Sequence, residues 1–423
     1  MPSPVSRRSA TVPRQPPPSR EHSLSNPTAT STPAASATIG HAAGPGSEAT
    51  VREIAQQPDV WREASANIAA QRTDIDAFLA PLLSQSDLRI VLTGAGTSAF
   101  VGDIAAPALS RLLGRRVDAV ATTDIVSNPR ESFAEDVPTL LVSFARSGNS
   151  PESSAATVLA DQVLTDVSHL ILTCNEDGNL FTDHQGRAHS KVVLMPRRSN
   201  DEGFAMTSSF TSMLLSSLLI LGGANDDAVA ALSTAATQII DCRQPEIRAL
   251  AEAGYERIVY IGSGPLTGLA RESALKVLEL TAGAIVTYYD SSLGFRHGPK
   301  AVLDETTLAL VYVSSDPYTR EYDLDIIAEL RTALSPERVV AISSLPLPAA
   351  DGHSWILSDL AGLDDAFLAV GYIVIAQLLG LSFSLTLGAT PDNPFPGGTV
   401  NRVVKGVHIH PLSAAAGTLT NAS

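Results

Sequence analysis

The sequence predicts an α/β protein of two tandem units, each a parallel, doubly wound sheet with helices on both faces. Three observations carry this expectation. The chain of 423 residues is longer than a single hydrophobic core usually grows. Short apolar runs alternate with helix-length segments, the pattern of a parallel sheet covered on both sides. The opening strand and turn then return once, a whole domain later.

Residues 1–48 are rich in Ser, Thr, Pro and Ala and poor in large hydrophobes, so a disordered tail is expected there. Its Arg7, Arg8, Arg14 and Arg20 lack the apolar or amphipathic company of a targeting peptide. From Arg52 the pattern is helical, with Ile54, Val60, Trp61, Ile68, Ile75, Phe78 and Leu79 recurring near the helical period up to Leu83. Arg89-Ile-Val-Leu-Thr-Gly94 reads as a buried strand ending in glycine, and a helix over 99–113 follows, stopped by Gly114. Further strands are expected at 117–121, 139–143 and 169–173. The second copy begins where Ile90-Val-Leu-Thr-Gly-Ala-Gly96 is echoed by Ile258-Val-Tyr-Ile-Gly-Ser-Gly264. Leu140-Leu-Val-Ser-Phe-Ala-Arg-Ser147 is answered by Leu310-Val-Tyr-Val-Ser-Ser-Asp316 at nearly the same spacing. The domains are therefore expected at 52–225 and 240–400. A loop at 222–227 and a linking helix join them, and 401–423 forms a C-terminal tail.

Composition excludes several classes of function. A formal charge of −15 and a pI near 5.0 argue against a nucleic-acid surface, which needs clustered Lys and Arg. Two cysteines, Cys174 and Cys242, read as reduced thiols of a cytoplasmic protein rather than as a disulfide or zinc site. No stretch of about 18 uncharged apolar residues is expected to span a bilayer; the nearest candidate, 213–223, reads as a buried helix.

The chemical signals lie in turns and on one helix. Gly94-Ala-Gly-Thr-Ser98 follows a strand, where glycines let the backbone approach a ligand at a helix N-terminus. The dinucleotide-type third glycine is absent, which counts against NAD. After the strand at 140–144 comes Ala145-Arg-Ser-Gly-Asn-Ser-Pro-Glu-Ser153. Ser150 can cap a helix starting at Pro151, and Arg146, Ser147, Asn149 and Ser150 gather donors at its positive end, a ready phosphate site. In the second half an apolar helix over 265–282 bears Glu272, Lys276 and Glu279 on one face. Charges on a buried helix need partners or a task; a solvated ion-pair ladder is the plainer alternative. Ser291-Ser-Leu-Gly-Phe-Arg-His-Gly-Pro299 holds His297 between glycines. The chain has only four lysines, Lys191, Lys276, Lys300 and Lys405, so each stands where arginine was not used.

Gly-x-Gly-Thr-Ser followed some fifty residues later by Arg-Ser-Gly-Asn-Ser-Pro-Glu resembles the phosphosugar-binding SIS (sugar isomerase) fold, which implies two tandem flavodoxin-like SIS domains. The resemblance implies that Gly96, Thr97 and Ser98 with Ser147, Asn149 and Ser150 contact the phosphate and sugar. Many family members carry serine where Ala145 stands, and Arg146 is expected to supply a charge-assisted bond in its place. Ala-Leu-Lys-x-x-Glu-Leu with a His-Gly-Pro loop resembles the isomerase domain of glucosamine-6-phosphate synthase. That likeness implies Glu279 as the base moving the C1/C2 proton, Lys276 assisting, and His297 opening the ring from a neighbouring subunit, hence a homodimer or larger assembly. It also implies Lys405 as a tail lysine closing over the sugar. Thr122-Thr-Asp-Ile-Val-Ser-Asn-Pro129, Gly203-Phe-Ala-Met-Thr-Ser-Ser-Phe210, Leu293-Gly-Phe-Arg-His-Gly-Pro-Lys300 and Asp392-Asn-Pro-Phe-Pro396 narrow the resemblance to the galactosamine-6-phosphate deaminase branch, also named tagatose-6-phosphate ketose/aldose isomerase. The expected reaction is isomerisation of an amino sugar 6-phosphate with release of its amine, without metal or redox cofactor. Plain ketose/aldose isomerisation and a non-catalytic sugar-phosphate sensor are the alternatives.

Overall fold

Runs of Ile, Val and Leu between glycine turns form two five-stranded parallel sheets in the computed structural model, which describes residues 44–349 and 351–413. The first half opens with α1 (Glu48–Ala55), α2 (Gln57–Ala70) and α3 (Arg72–Leu83). Its sheet segment runs β1 (Arg89–Thr93), α4 (Thr97–Leu113), β2 (Val117–Ala119), α5 (Thr122–Ser127), α6 (Pro129–Ser132), β3 (Thr139–Ala145), α7 (Pro151–Val163), β4 (Val167–Thr173), α8 (Asn179–His184) and β5 (Ser190–Leu194). Helices α9 (Ser208–Gly222), α10 (Asp226–Cys242) and α11 (Gln244–Glu252) lead to the second half. That half comprises β6 (Arg257–Gly262), α12 (Pro265–Leu280), β7 (Val286–Asp290), β8 (Thr307–Tyr312), α13 (Pro317–Leu334), β9 (Val339–Ser343), β10 (His353–Ile356) and α14 (Asp365–Thr386).

The strand orders are β2-β1-β3-β4-β5 and β7-β6-β8-β9-β10, so the two halves share one flavodoxin-like topology. Register repeats as well: Arg89 lies opposite Thr139, and Arg257 opposite Thr307. Gly96 and Gly264, the N-caps of α4 and α12, adopt nearly the same left-handed conformation, φ 56° with ψ −128° and φ 57° with ψ −128°. A side chain is strained there, which is why the echo retains glycine at both positions. In the first sheet β1 is followed by α4 on one face, while α7, after β3, packs on the other. A crevice therefore opens at the carboxyl ends of β1 and β3, where such folds bind ligands.

The expectation that no segment has the length and apolarity of a membrane span is corrected by α14. Over the most apolar 18 of its 22 residues the mean hydropathy is 2.1, and the 213–223 stretch lies in the shorter α9. The helix is a core element, with 89% of its apolar window buried. It packs against α4, α9, α10, α11 and α12, and one continuous apolar cluster runs through both halves. A helix hydrophobic all round belongs either in a core or in a bilayer, and neighbours on every side decide between the two. Gly268 lets α12 cross α4 closely: a Cβ there would meet Ile104 Cγ1 at 2.8 Å.

The expected N-terminal tail lies outside the described residues up to position 43. Its last five residues, 44–48, take part in the fold. The Gly46 carbonyl accepts from Asp392 N at 2.8 Å, and the Asp392 carboxylate accepts from Ala49 N and Thr50 N at 3.0 and 2.8 Å, closing the start of α1. Of the expected C-terminal tail, 414–423 lies outside the described residues.

Candidate active site

The turn between β1 and α4 brings Thr97 to the seam between the two halves. Its buried hydroxyl donates to Glu272 Oε1 at 3.3 Å and accepts from Lys276 Nζ at 3.1 Å, so the first half touches α12 through one threonine. The Ser98 hydroxyl, also buried, makes among the described residues a long contact to Met206 Sδ at 3.9 Å.

On α12 the spacing predicted from sequence becomes a compact charge cluster. Lys276 Nζ lies 2.6 Å from Glu279 Oε2 and 3.3 Å from Glu272 Oε1. Lys276 and Glu272 are fully buried, whereas the Glu279 side chain is 24% exposed, which rules out a solvated ladder. Burial pushes the Glu272 carboxyl up to about 8 against the pull of Lys276, and the Glu279 charge adds to the rise. Burial lowers Lys276, but the two carboxylates outweigh it and leave the ammonium above its ordinary value. Glu272 Oε2 is buried without a hydrogen-bond partner. The arrangement is one cation held between a buried acid and a reachable carboxylate. A carboxylate so placed can take up and return a proton.

The loop from 146 to 150 caps α7 as expected. Ser150 Oγ accepts from Ser153 N at 3.3 Å and lies 2.6 Å from Ser153 Oγ. Ser147 Oγ accepts from Asn149 N at 3.3 Å, and Asn149 Oδ1 accepts from Asn179 N at 3.0 Å, tying the loop to the start of α8. Ser147 and Ser150 are partly exposed and Asn149 is exposed, so these side chains face outward at the positive end of α7. The matching turn of the second half, 314–316, is held by two acids, Asp316 of its own and Asp365 from the start of α14. Asp316 accepts from Tyr318 N and Thr319 N at 3.1 and 2.9 Å, and Asp365 accepts from Ser315 N at 2.7 Å. The N-cap of the helix is thus a carboxylate, Asp316, in the second half where it is a hydroxyl, Ser150, in the first.

Arg146 does not join this outward set, contrary to the sequence expectation. It is only 6% exposed, and its guanidinium donates to the carbonyls of Gly203, Phe204 and Arg402 at 3.3, 3.0 and 3.0 Å. Burial, and then the charge of Arg402, lower it to about 10, while Asp201 and Glu279 pull it up.

His297 closes the 3₁₀ turn Gly294–Arg296 and is exposed, with no side-chain hydrogen bond among the described residues. The loop itself is firmly held. Phe295 is buried, and Arg296 and Lys300 both pair with Glu329 of α13. Asp323 accepts from Ser263 Oγ at 2.6 Å, from Ser292 Oγ, and from Ser314 N at 2.9 Å, joining three loops at the ends of the second sheet. Lys405 is exposed on the C-terminal segment and has no side-chain partner among the described residues. The structure thus joins Thr97, Lys276 and Glu279 directly, and leaves His297 and Lys405 free on anchored segments. Sequence reasoning missed the tie of Glu272 to Thr97 and the partners of Arg146, because these contacts link residues far apart in the chain.

The SIS domain family model matches residues 82–221. A Streptomyces coelicolor protein provisionally named D-galactosamine-6-phosphate deaminase AgaS is 58% identical over 368 residues, covering 86% of this chain and 96% of its own. An Escherichia coli D-galactosamine-6-phosphate deaminase AgaS is 47% identical over 375 residues, with coverage of 86% and 96%. The crystal structure of tagatose-6-phosphate ketose/aldose isomerase from Escherichia coli superposes with a TM-score of 0.82 at 44% identity, over 90% of this chain and 100% of that one. With this identity spread over nearly the full length of its relatives, the chain belongs to the AgaS family of two-domain SIS proteins.

Proposed function

We propose that this protein is an amino sugar 6-phosphate deaminase and isomerase, converting galactosamine 6-phosphate and water to tagatose 6-phosphate and ammonia. The observation that carries the reading is the α12 cluster, in which Glu279 alone is both reachable and paired with a buried ammonium. The 6-phosphate docks on Ser147, Asn149 and Ser150 at the start of α7, with Thr97 and Ser98 toward the sugar. His297 assists opening of the ring. Glu279 takes the C2 proton while O1 gains one, giving an enaminol, and proton return to C1 gives the C2 ketimine. Water adds to C2, the C2–N bond breaks, ammonia leaves, and the ketose carbonyl remains. Lys276 steadies the charge developing at O1. Thr97 and the Glu272–Lys276 pair couple the phosphate half to the chemical half.

Incubation with galactosamine 6-phosphate should release ammonia and ketose phosphate in equal amounts, and faster than with glucosamine 6-phosphate. Interconversion of tagatose 6-phosphate with its aldose, without ammonia release from any hexosamine phosphate, would instead favour the plain isomerase. Binding without turnover of either substrate would favour the sensor.

The exposed, anchored His297 fits a residue that completes the site of a second copy in a homodimer. Leu278, Val286, Tyr288 and Leu293, exposed on α12, on β7 and just after it, supply an apolar surface for that contact. Mixed Glu279→Gln and His297→Ala subunits, each inactive alone, should recover about a quarter to a half of wild-type activity, since one site per mixed dimer is intact. Exchange of subunits without recovery would mean that each site is built within one chain.

A further inference from the structure

The segment 201–204 is gripped from three directions. From α1, the buried Glu53 carboxylate accepts from Glu202 N at 2.6 Å and from Gly203 N at 3.2 Å. From the end of β3, Arg146 donates to the Gly203 and Phe204 carbonyls. From the C-terminal strap, Arg402 donates through Nε to the Gly203 carbonyl at 3.3 Å and through Nη2 to the Asp201 carbonyl. Arg146 also holds the strap itself through the Arg402 carbonyl at 3.0 Å. The rings of Phe204 and Phe395 meet at 5.2 Å nearby. The next anchor lies ten residues on, where Leu412 packs against the apolar cluster of Ile125, Phe133, Leu141 and Leu159 and the Ser413 carbonyl accepts from Arg130 at 2.9 Å. Between these anchors, 403–411 makes no hydrogen bond to the rest of the chain among the described residues, and Lys405 lies in that span.

A guanidinium buried beside a second guanidinium is costly unless its donors are satisfied. Both Nη atoms of Arg146 donate to carbonyls from two segments remote from it in sequence. Planar, forked donors suit this task, because one side chain can hold several backbone groups in fixed relation. Arg146 immediately precedes Ser147, so whatever fixes its backbone also fixes the root of the phosphate loop.

We propose that Arg146 is a positioning residue, not a phosphate ligand: it latches the C-terminal strap, and with it Lys405, to the root of the phosphate loop. The strap is then held by one side chain rooted beside the loop, while the loop keeps its own hydrogen bonds, and Arg146 influences turnover only through Lys405. The inference rests on the reading of Lys405 as the lysine that closes over the sugar.

The test compares Arg146→Gln, Arg402→Gln, Lys405→Ala, Ser147→Ala and the Arg146→Gln/Lys405→Ala double variant in the full chain. Trypsin cleavage at Lys405 reads strap release without reference to activity. Loss of charge-assisted bonds should speed cleavage about tenfold or more in Arg146→Gln, and likewise in Arg402→Gln, which grips the strap from the other side should the first variant fold poorly. Inorganic phosphate should inhibit Arg146→Gln with an unchanged Ki, whereas Ser147→Ala should raise Ki without releasing the strap. Turnover by the double variant should match that of Lys405→Ala within about twofold, because residues acting through one group are not additive. Unchanged cleavage in both arginine variants, or a phosphate Ki raised about tenfold in Arg146→Gln, would overturn the latch. Faster cleavage with wild-type turnover in Lys405→Ala would uphold the latch and remove Lys405 from the proposed site.

Discussion

Replacing Glu279 with glutamine should lower kcat by about 10² to 10⁴, the usual worth of a positioned general base, while leaving phosphate binding intact. The substitution keeps the size of the side chain and its capacity to accept from Lys276 Nζ, now 2.6 Å away. It removes the charge that makes the group a base. Binding should survive because Ser147, Asn149 and Ser150 lie at the start of α7 in the other half, held by their own hydrogen bonds. Steady-state kinetics with galactosamine 6-phosphate, alongside the Ki of inorganic phosphate, separate the two effects. A folded Glu279→Gln protein with near-wild-type kcat would take Glu279 out of the mechanism.

Lys276→Met should be the most damaging single change to the fold, costing about 3–5 kcal/mol, because it leaves buried carboxyl groups without their cation. Glu272 and Lys276 are both fully buried, so water cannot replace the lost partner. Urea unfolding measures the loss. Measured above pH 8, where Glu272 ionises, adding Glu272→Gln should restore much of the stability and none of the activity, since the amide removes the stranded charge but not the need for an ammonium beside Glu279. If the double variant is as unstable as the single one, the cost lies in packing rather than charge. Glu272 also predicts a pH signature. Its folded value of about 8 stands above its ordinary 4.5, so its contribution to stability is full below pH 4.5 and is lost as pH rises through 8. Glu272→Gln alone should flatten that slope.

Much of this molecule was legible because the repeat is written in glycine and aliphatic residues. The echo of Ile90–Gly96 in Ile258–Gly264 located two strands and two left-handed turns, and the capping by Ser150 followed from its place before Pro151. Lys276 and Glu279 share a face at helical spacing, so their pairing could be read along one element. What escaped were meetings between distant segments. Arginine at a helix start reads as an anion ligand, and nothing near Arg146 in the chain shows that the carbonyls of Gly203, Phe204 and Arg402 come to it. Likewise Glu272 gains its tie to the first half only through Thr97, and α14 is told apart from a membrane span only by the helices around it.

Helix α14 follows both sheets along the chain, which bears on biosynthesis. Synthesis proceeds at about 5–20 residues per second, so the first sheet is complete on the order of ten seconds or more before this helix leaves the ribosome. Until it does, α4, α9, α10 and α12 each hold out an apolar face that no earlier segment covers. The nascent chain therefore keeps these faces open until α14 emerges, and its docking closes the apolar cluster across both halves at once.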